Sequence, residues 1–265
     1  MPFASDKPAG METPPSPPVP APNRSVLVIR PQSGLSGDMM AAGLLGLGAG
    51  GPLEELLTIL NLDRLAGRVR LAGRLVNHIS GLGLEVDLPE EHEHRALADI
   101  EAFLAGTGLT ETAMNLALRT FRLLAETEGA VHGLSPEDIH FHEVGALDSL
   151  LDIGLAALLL DRLGPGRLVC GPLPLRDGVI RCRHGLLPSP APAVLRMLPG
   201  AVVTSLAGAG ETVTPTALAF LKSAGAEFGP WPHMMVERQA LAYGALVFPD
   251  VPNGALFAFG QELES

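Results

Sequence analysis

The spacing of apolar positions divides the chain into a strand-bearing start, a helical middle and a strand-bearing end. Val26-Leu27-Val28-Ile29 is a continuous apolar run of the length of a short buried strand. Met39 to Leu47 and Leu53 to Leu60 read as helices. Arg68 to Val76 alternates through Val69, Leu71 and Leu75, and Gly81 to Leu88 alternates through Leu82, Leu84, Val86 and Leu88. This pattern predicts two neighbouring strands joined through His78-Ile79-Ser80. From Ala96 to Leu163 the periodicity is helical, with helices over 98–104, 111–131 and 146–163, the last stopped by Gly164-Pro165-Gly166. Ser135-Pro136-Glu137-Asp138 has the form of a helix start, with Ser135 as N-cap and Pro136 in the first position.

Beyond residue 165 the text changes. Short strands are predicted at 167–170, 179–182, 202–206, 234–241 and 255–259, interrupted by helices over 192–198 and 215–224. Thr214-Pro215 supplies an N-cap and a first-position proline for the second of these. A central helical segment flanked by N-terminal and C-terminal strand-rich regions, without a clean βαβ repeat, gives an α+β (mixed α/β) fold class. Residues 1–24 hold eight of the 24 prolines and almost no large apolar side chains, which predicts a disordered Pro-rich tail. Residues 25–265 then form the folded part, with 25–165 and 166–265 as candidate subregions.

Hydrophobic residues make up 47% of the chain and charged ones 18%, as in a globular protein. The formal charge of −11 excludes nucleic acid as a partner, because neutralising phosphates takes clustered Lys and Arg. Two cysteines, Cys170 and Cys182, do not make a disulfide framework or a Cys-x-x-Cys zinc pattern, so a reducing, cytoplasmic setting is expected. The longest uncharged apolar run, Ile153 to Leu160, is well short of the about 20 residues needed to span a bilayer. A soluble protein with no membrane partner is expected.

Candidate chemistry concentrates in two windows. His92-Glu93-His94-Arg95 and His140-Phe141-His142-Glu143 hold four of the eight histidines, each beside a carboxylate. Neutral imidazole is a common ligand for divalent transition metals. Residues two apart point the same way in extended chain, so His140 and His142 chelate one ion only from a strand, loop or turn. Asp148 and Asp152 are four apart and share a helical face, and Glu143 could join them. Acids on a leucine-rich helix are costly to bury without partners, which favours a metal or catalytic role over a solvated helix edge. His92 and His94 alone would read as an exposed polar loop; the second pair raises their standing. Arg95 is a candidate clamp for a phosphate or carboxylate. The turn Ser33-Gly34-Leu35-Ser36-Gly37-Asp38 lies between a strand and a helix, where it fits either an anion at the helix N-terminus or capping by Asp38. Thr214-Pro215-Thr216 is open in the same way. His184-Gly185 followed by Pro188, Pro190 and Pro192 reads as a rigid connector, and His78, His132 and His233 are assigned no role.

The segments Ser33 to Met39, Glu91 to Arg95, His140 to Ile153, His184 to Ala193 and Glu211 to Thr216 together resemble the LarC family, across roughly residues 26–259 and in the same order. That family contains nickel-insertion proteins that mature a nickel-pincer nucleotide cofactor. The resemblance implies a cyclometallase that inserts nickel(II) into a pyridinium bisthiocarboxylate mononucleotide in a CTP-dependent reaction, forming carbon–nickel and sulfur–nickel bonds. It implies that His92, His94, His140 and His142 handle the metal, and that Glu143, Asp148 and Asp152 carry the catalytic carboxylates. Ser33, Gly34, Gly37, Asp38, Arg95, Thr214 and Thr216 would contact the nucleotide. The chain departs from the family at Arg30, where an aspartate is usual, at Gln32, near which an aromatic is usual, at Glu93, where a third histidine is common, and at Ala217, where a glycine is expected. The family's C-terminal portion, associated with CTP, has no counterpart before Ser265, so CTP with Mg2+ is expected to act through a separate C-terminal polypeptide. A homo-oligomer is also expected. Two other readings stand beside this one: a non-catalytic metal or nucleotide carrier, and a zinc-dependent hydrolase with three protein ligands and a water.

Overall fold

A computed structural model describes residues 23–88, 95–141, 147–182, 185–249 and 251–264. The chain opens with β1 (Ser25–Pro31), α1 (Gly37–Gly46) and α2 (Leu53–Ile59), then the hairpin β2 (Val69–Val76) and β3 (Ile79–Val86). The middle holds β4 (Arg95–Ala96), α3 (Leu97–Ala105), α4 (Glu111–His132), β5 (His140–Phe141) and α5 (Leu147–Leu163). The last part runs β6 (Arg167–Cys170), β7 (Leu173–Leu175), β8 (Gly178–Cys182), β9 (Gly185–Ser189), α6 (Pro192–Met197), β10 (Val203–Ser205), α7 (Pro215–Ser223), β11 (Glu227–Phe228), β12 (Met234–Ala242) and β13 (Ala255–Glu262). The fold is α+β, and no described helix is long and apolar enough to cross a membrane.

Seven strands form one mixed sheet in the order β11-β6-β1-β13-β12-β3-β2. β1 lies between β6, which it pairs in parallel, and β13, which it pairs antiparallel. Strands from both sides of residue 165 therefore share one sheet. The apolar run of β1 has its cause here: a central strand is covered on both faces, and Val26, Leu27, Val28 and Ile29 are all fully buried. Leu27 and Ile29 point into the main core, while Val26 and Val28 join Val169 and Ala258 in a small cluster on the opposite face.

α1 packs on β13, β12 and β3, α5 packs on α1, and α4 packs on α5. α5 is apolar nearly all round because it lies inside this stack. Thr110 caps α4, its hydroxyl accepting from the Ala113 N–H at 3.2 Å, and Gly133 ends it in the left-handed region at φ 70°.

Several elements differ from their sequence reading. β3 begins at Ile79 because Asn77 and His78 both take positive φ, 50° and 64°, closing a two-residue hairpin turn. Ser135-Pro136 starts only a single 3-10 turn over Pro136–Asp138. The helical middle also contains the short antiparallel pair β4–β5, and the proline-rich connector after His184 is in fact a strand, β9, paired with β8. Prolines tolerated on a two-stranded edge hid it.

Candidate functional site

Two cavities open on either side of one wall. The larger, about 850 Å3, is lined by the β1–α1 turn, β2, β3 and the loop after β12. The smaller, about 510 Å3, is lined by the ends of α4 and α6, β8, β9 and the start of α7. Ser36, Asp38, Asp148, Asp152, Glu211 and Thr214 line both. Four carboxylates therefore form the partition.

The wall is assembled by the backbone. Leu35 N–H donates to Thr212 O at 2.8 Å and Thr214 N–H donates to Leu35 O at 3.0 Å, which zips the β1–α1 turn to the segment before α7. Gly34, at φ 147°, allows that approach, since a Cβ there would lie 1.9 Å from Thr212 O. Gly37, in the first turn of α1, does the same for Asp152: a Cβ would sit 2.5 Å from its Oδ2. Both glycines serve close protein packing. Ser36 occupies the N-cap of α1 but does not cap it; its hydroxyl donates instead to the Asp38 carboxylate. Thr214 caps α7, accepting from the Ala217 N–H at 3.3 Å.

The spacing of Asp148 and Asp152 places both on the cavity side of α5, as their four-residue separation predicts. Desolvation pushes the Asp152 carboxyl well above the usual carboxylate range, and the charges of Asp38 and Asp148 push it further. Such a wall attracts a cation. Arg74 is the one cation among the described residues lining the larger cavity, and one of its N–H groups already bonds Gly244 O. Among the described residues, no three His, Cys, Asp or Glu side chains are arranged to hold one metal ion, so the acids alone are not a finished coordination shell.

The remaining candidates are placed as follows. Ser33 and Gly34 line the larger cavity, Gly37 and Thr216 the smaller. Arg95 is half-buried in β4, opposite Phe141. His140 is exposed in β5, opposite Ala96, and neither it nor Arg95 lines either cavity. His92, His94, His142 and Glu143 lie outside the described residues. The β4–β5 pair nonetheless brings the chain leaving the first histidine window beside the chain entering the second. Leu88, the last described residue before the first window, lines the larger cavity; Asp148, just after the second, lines both. Arg30 is elsewhere: it donates to Gly229 O at 2.8 Å and lies 5.9 Å from the Trp231 ring centre.

Sequence reasoning gave no role to Glu211, although it opens the resembling segment Glu211 to Thr216 just before the capped helix α7. It also passed over His132, which lines the smaller cavity with Glu128, 3.5 Å away. Their four-residue spacing on α4 was the available signal. Cys170 is buried, which pushes its thiol up to about 12 and leaves it a poor metal ligand.

Fold and cleft define an α+β protein with a cavity of about 850 Å3 whose anionic wall suits a cation. The chain belongs to the nickel insertion protein family, whose model matches residues 27–262. It is 39% identical over 232 residues to a putative nickel insertion protein of Syntrophotalea carbinolica, covering 86% of this chain and 58% of that one. A putative nickel insertion protein of Myxococcus xanthus is 42% identical over 242 residues, 90% of this chain and 61% of the relative. The pyridinium-3,5-bisthiocarboxylic acid mononucleotide nickel insertion protein of Geobacillus kaustophilus is 35% identical over 241 residues, 87% and 58% of the two chains. The chain thus spans about three fifths of the length of these relatives. No solved structure matches it.

Proposed function

We propose that this chain delivers nickel(II) to a pyridinium bisthiocarboxylate mononucleotide, the substrate class named for the Geobacillus kaustophilus relative. The observation that carries the reading is the partition of Asp38, Asp148, Asp152 and Glu211 between two cavities, adjoined by the anchors of both histidine windows. His92, His94, His140 and His142 take up the ion, Asp148 and Asp152 complete its shell at the wall, and Glu143 serves as a further carboxylate for the reaction. These donors are nitrogen and oxygen only, so the softer thiocarboxylate sulfurs of the substrate can draw the ion away from them. In the insertion itself nickel(II) gains two sulfur bonds and one bond to the ring carbon between them. That carbon loses its proton to solvent, so one nickel replaces one hydrogen.

CTP with Mg2+ is not assigned to this chain's acidic turn. Its use is assigned instead to the part of the relatives that the match to this chain leaves uncovered. The reading further places the protein in the cytoplasm, where its substrate nucleotide and reduced thiols coexist.

The test mixes the purified chain with nickel(II) and the bisthiocarboxylate mononucleotide. It is run with and without CTP, Mg2+ and the C-terminal portion of a relative. Calorimetry should show nickel bound, and mass spectrometry should show the nucleotide gaining one nickel and losing one hydrogen in the complete mixture. Absence of both signals in every mixture overturns the proposal. A second reading, a nickel carrier without turnover, would show tight nickel binding with no change in nucleotide mass.

A further inference from the structure

The larger cavity contains one aromatic side chain among its described lining residues, Phe248, in the loop between β12 and β13. We propose that Phe248 is the platform on which the ring of the mononucleotide stacks, and that Arg176 is the positioning residue that holds it. This rests on the reading that the cavity receives a pyridinium mononucleotide.

Phe248 is fixed from two directions. Its backbone is clamped by Asn253, whose Oδ1 accepts from the Phe248 N–H at 2.8 Å and whose Nδ2 donates to the Phe248 carbonyl at 2.6 Å. Its ring lies under the guanidinium of Arg176, 3.8 Å from Cζ to the ring centre. Arg176 follows β7 and is only 5% exposed. Its Nη1 donates to Ala209 O at 3.0 Å, and the backbone at Gly208 closes its other side, where a Cβ would come within 3.1 Å of Cζ. Among the described residues, Arg176 Nε has no partner. A buried donor left unpaired costs free energy, so hydrogen bonding alone does not account for this side chain. Stacking does: the flat guanidinium fills a slot between the Gly208 backbone and the Phe248 ring.

The consequence falls on the free side of Phe248, which is half-buried. A ring held this way loses little freedom when a ligand stacks on it. The guanidinium behind it also draws on its negative face, which suits a ring bearing anionic substituents better than a simple cation. A pyridinium carrying two thiocarboxylates is such a ring. The acid wall and the aromatic platform line one cavity, so metal and ring would be presented to each other within it.

The test measures binding of nicotinate mononucleotide, a pyridinium mononucleotide probe, and of nickel(II), by calorimetry on the full chain. Phe248→Ala should weaken probe binding about 10-fold or more, the loss seen when an aromatic stacking partner is removed, and leave nickel affinity unchanged. Phe248→Trp, made in a Trp231→Phe background, should keep affinity and show indole fluorescence quenched by the probe. Arg176→Lys keeps the charge and loses the flat face; it should weaken probe binding in the presence of Phe248 and add nothing to the loss in Phe248→Ala. Unchanged probe binding in Phe248→Ala overturns the platform while leaving the nucleotide reading intact. A wild-type chain that binds nickel but not the probe overturns both.

Discussion

Along α1, the turn around Gly43 and the turn around Gly37 use the same device, a missing Cβ that admits a neighbour too close for any other residue. At Gly43 the neighbour is the Phe257 ring, whose carbons would lie 2.3–2.4 Å from an added Cβ. At Gly37 it is the Asp152 carboxyl, 2.5 Å away at Oδ2. The first contact seats α1 on β13 and buries apolar surface, which stabilises the fold. The second places an acid beside Asp38 and Asp148, where burial and like charge both oppose its ionised form. One helix thus has a stabilising end and a destabilising end. The unfavourable end is the one that faces the cavities, as expected where local strain serves binding.

The comparison breaks most visibly at Phe257, which is 1% exposed. Phe257→Ala should cost about 3–5 kcal/mol by the transfer and cavity terms of an aromatic removed from a core. Urea unfolding measures this. If the two ends of α1 are independent, the variant that remains folded at low temperature binds nickel with unchanged affinity. Lost nickel binding in a folded variant would show that the core sets the site's geometry directly.

The stabilising end was legible in the sequence and the other end only partly so. The run Val26 to Ile29 announced a buried strand, and the periodicity over 146–163 announced the leucine-rich helix α5; burial on all sides leaves a continuous apolar signature. The spacing of Asp148 and Asp152 announced a shared face on that helix. Asp38 and Glu211 join them only because Leu35 bridges to Val213, a pairing between distant segments with no local pattern. Gly34 and Gly37 were visible as glycines, but their neighbours, Thr212 and Asp152, come from tertiary packing. Phe248 and Arg176 were silent for the same reason: a stacked pair from two loops leaves no periodic trace.

A sharper test adds the missing Cβ at the site end. Gly37→Ala must displace Asp152 or tilt α1, at about 1–3 kcal/mol for an overpacked contact. About 0.5–1 kcal/mol is recovered from the better helix propensity of alanine. A modest fall in stability with a clear loss of nickel affinity is expected. In the double variant Gly37→Ala with Asp152→Ala the carboxyl is gone but the residue-152 Cβ still lies 2.8 Å from the added one, so stability should return only in part while nickel affinity stays low. Simple additivity of the two changes in stability would mean that the groups do not touch in solution.

The smallest effect, and the one of opposite sign, is expected from Asp152→Asn. In the folded chain Asp152 holds its proton to higher pH than in the unfolded chain, where its ordinary value is 3.8. Between those two values the folded state binds more protons, so this group's contribution to stability is fully present below pH 3.8 and is lost as pH rises through the raised value. Asparagine keeps the shape without the charge and removes that loss. The variant should therefore melt higher than the wild type near neutral pH, by roughly 2–4 °C for each kcal/mol recovered, with the gap closing as pH falls. Melting curves from pH 4 to 8 on both proteins decide it. A gap independent of pH would mean that the carboxyl is solvated in the open cavity and that the site end of α1 carries no electrostatic strain. A gap that widens toward neutral pH, together with weaker nickel binding, would show that the acid which destabilises the fold is also the one the metal uses.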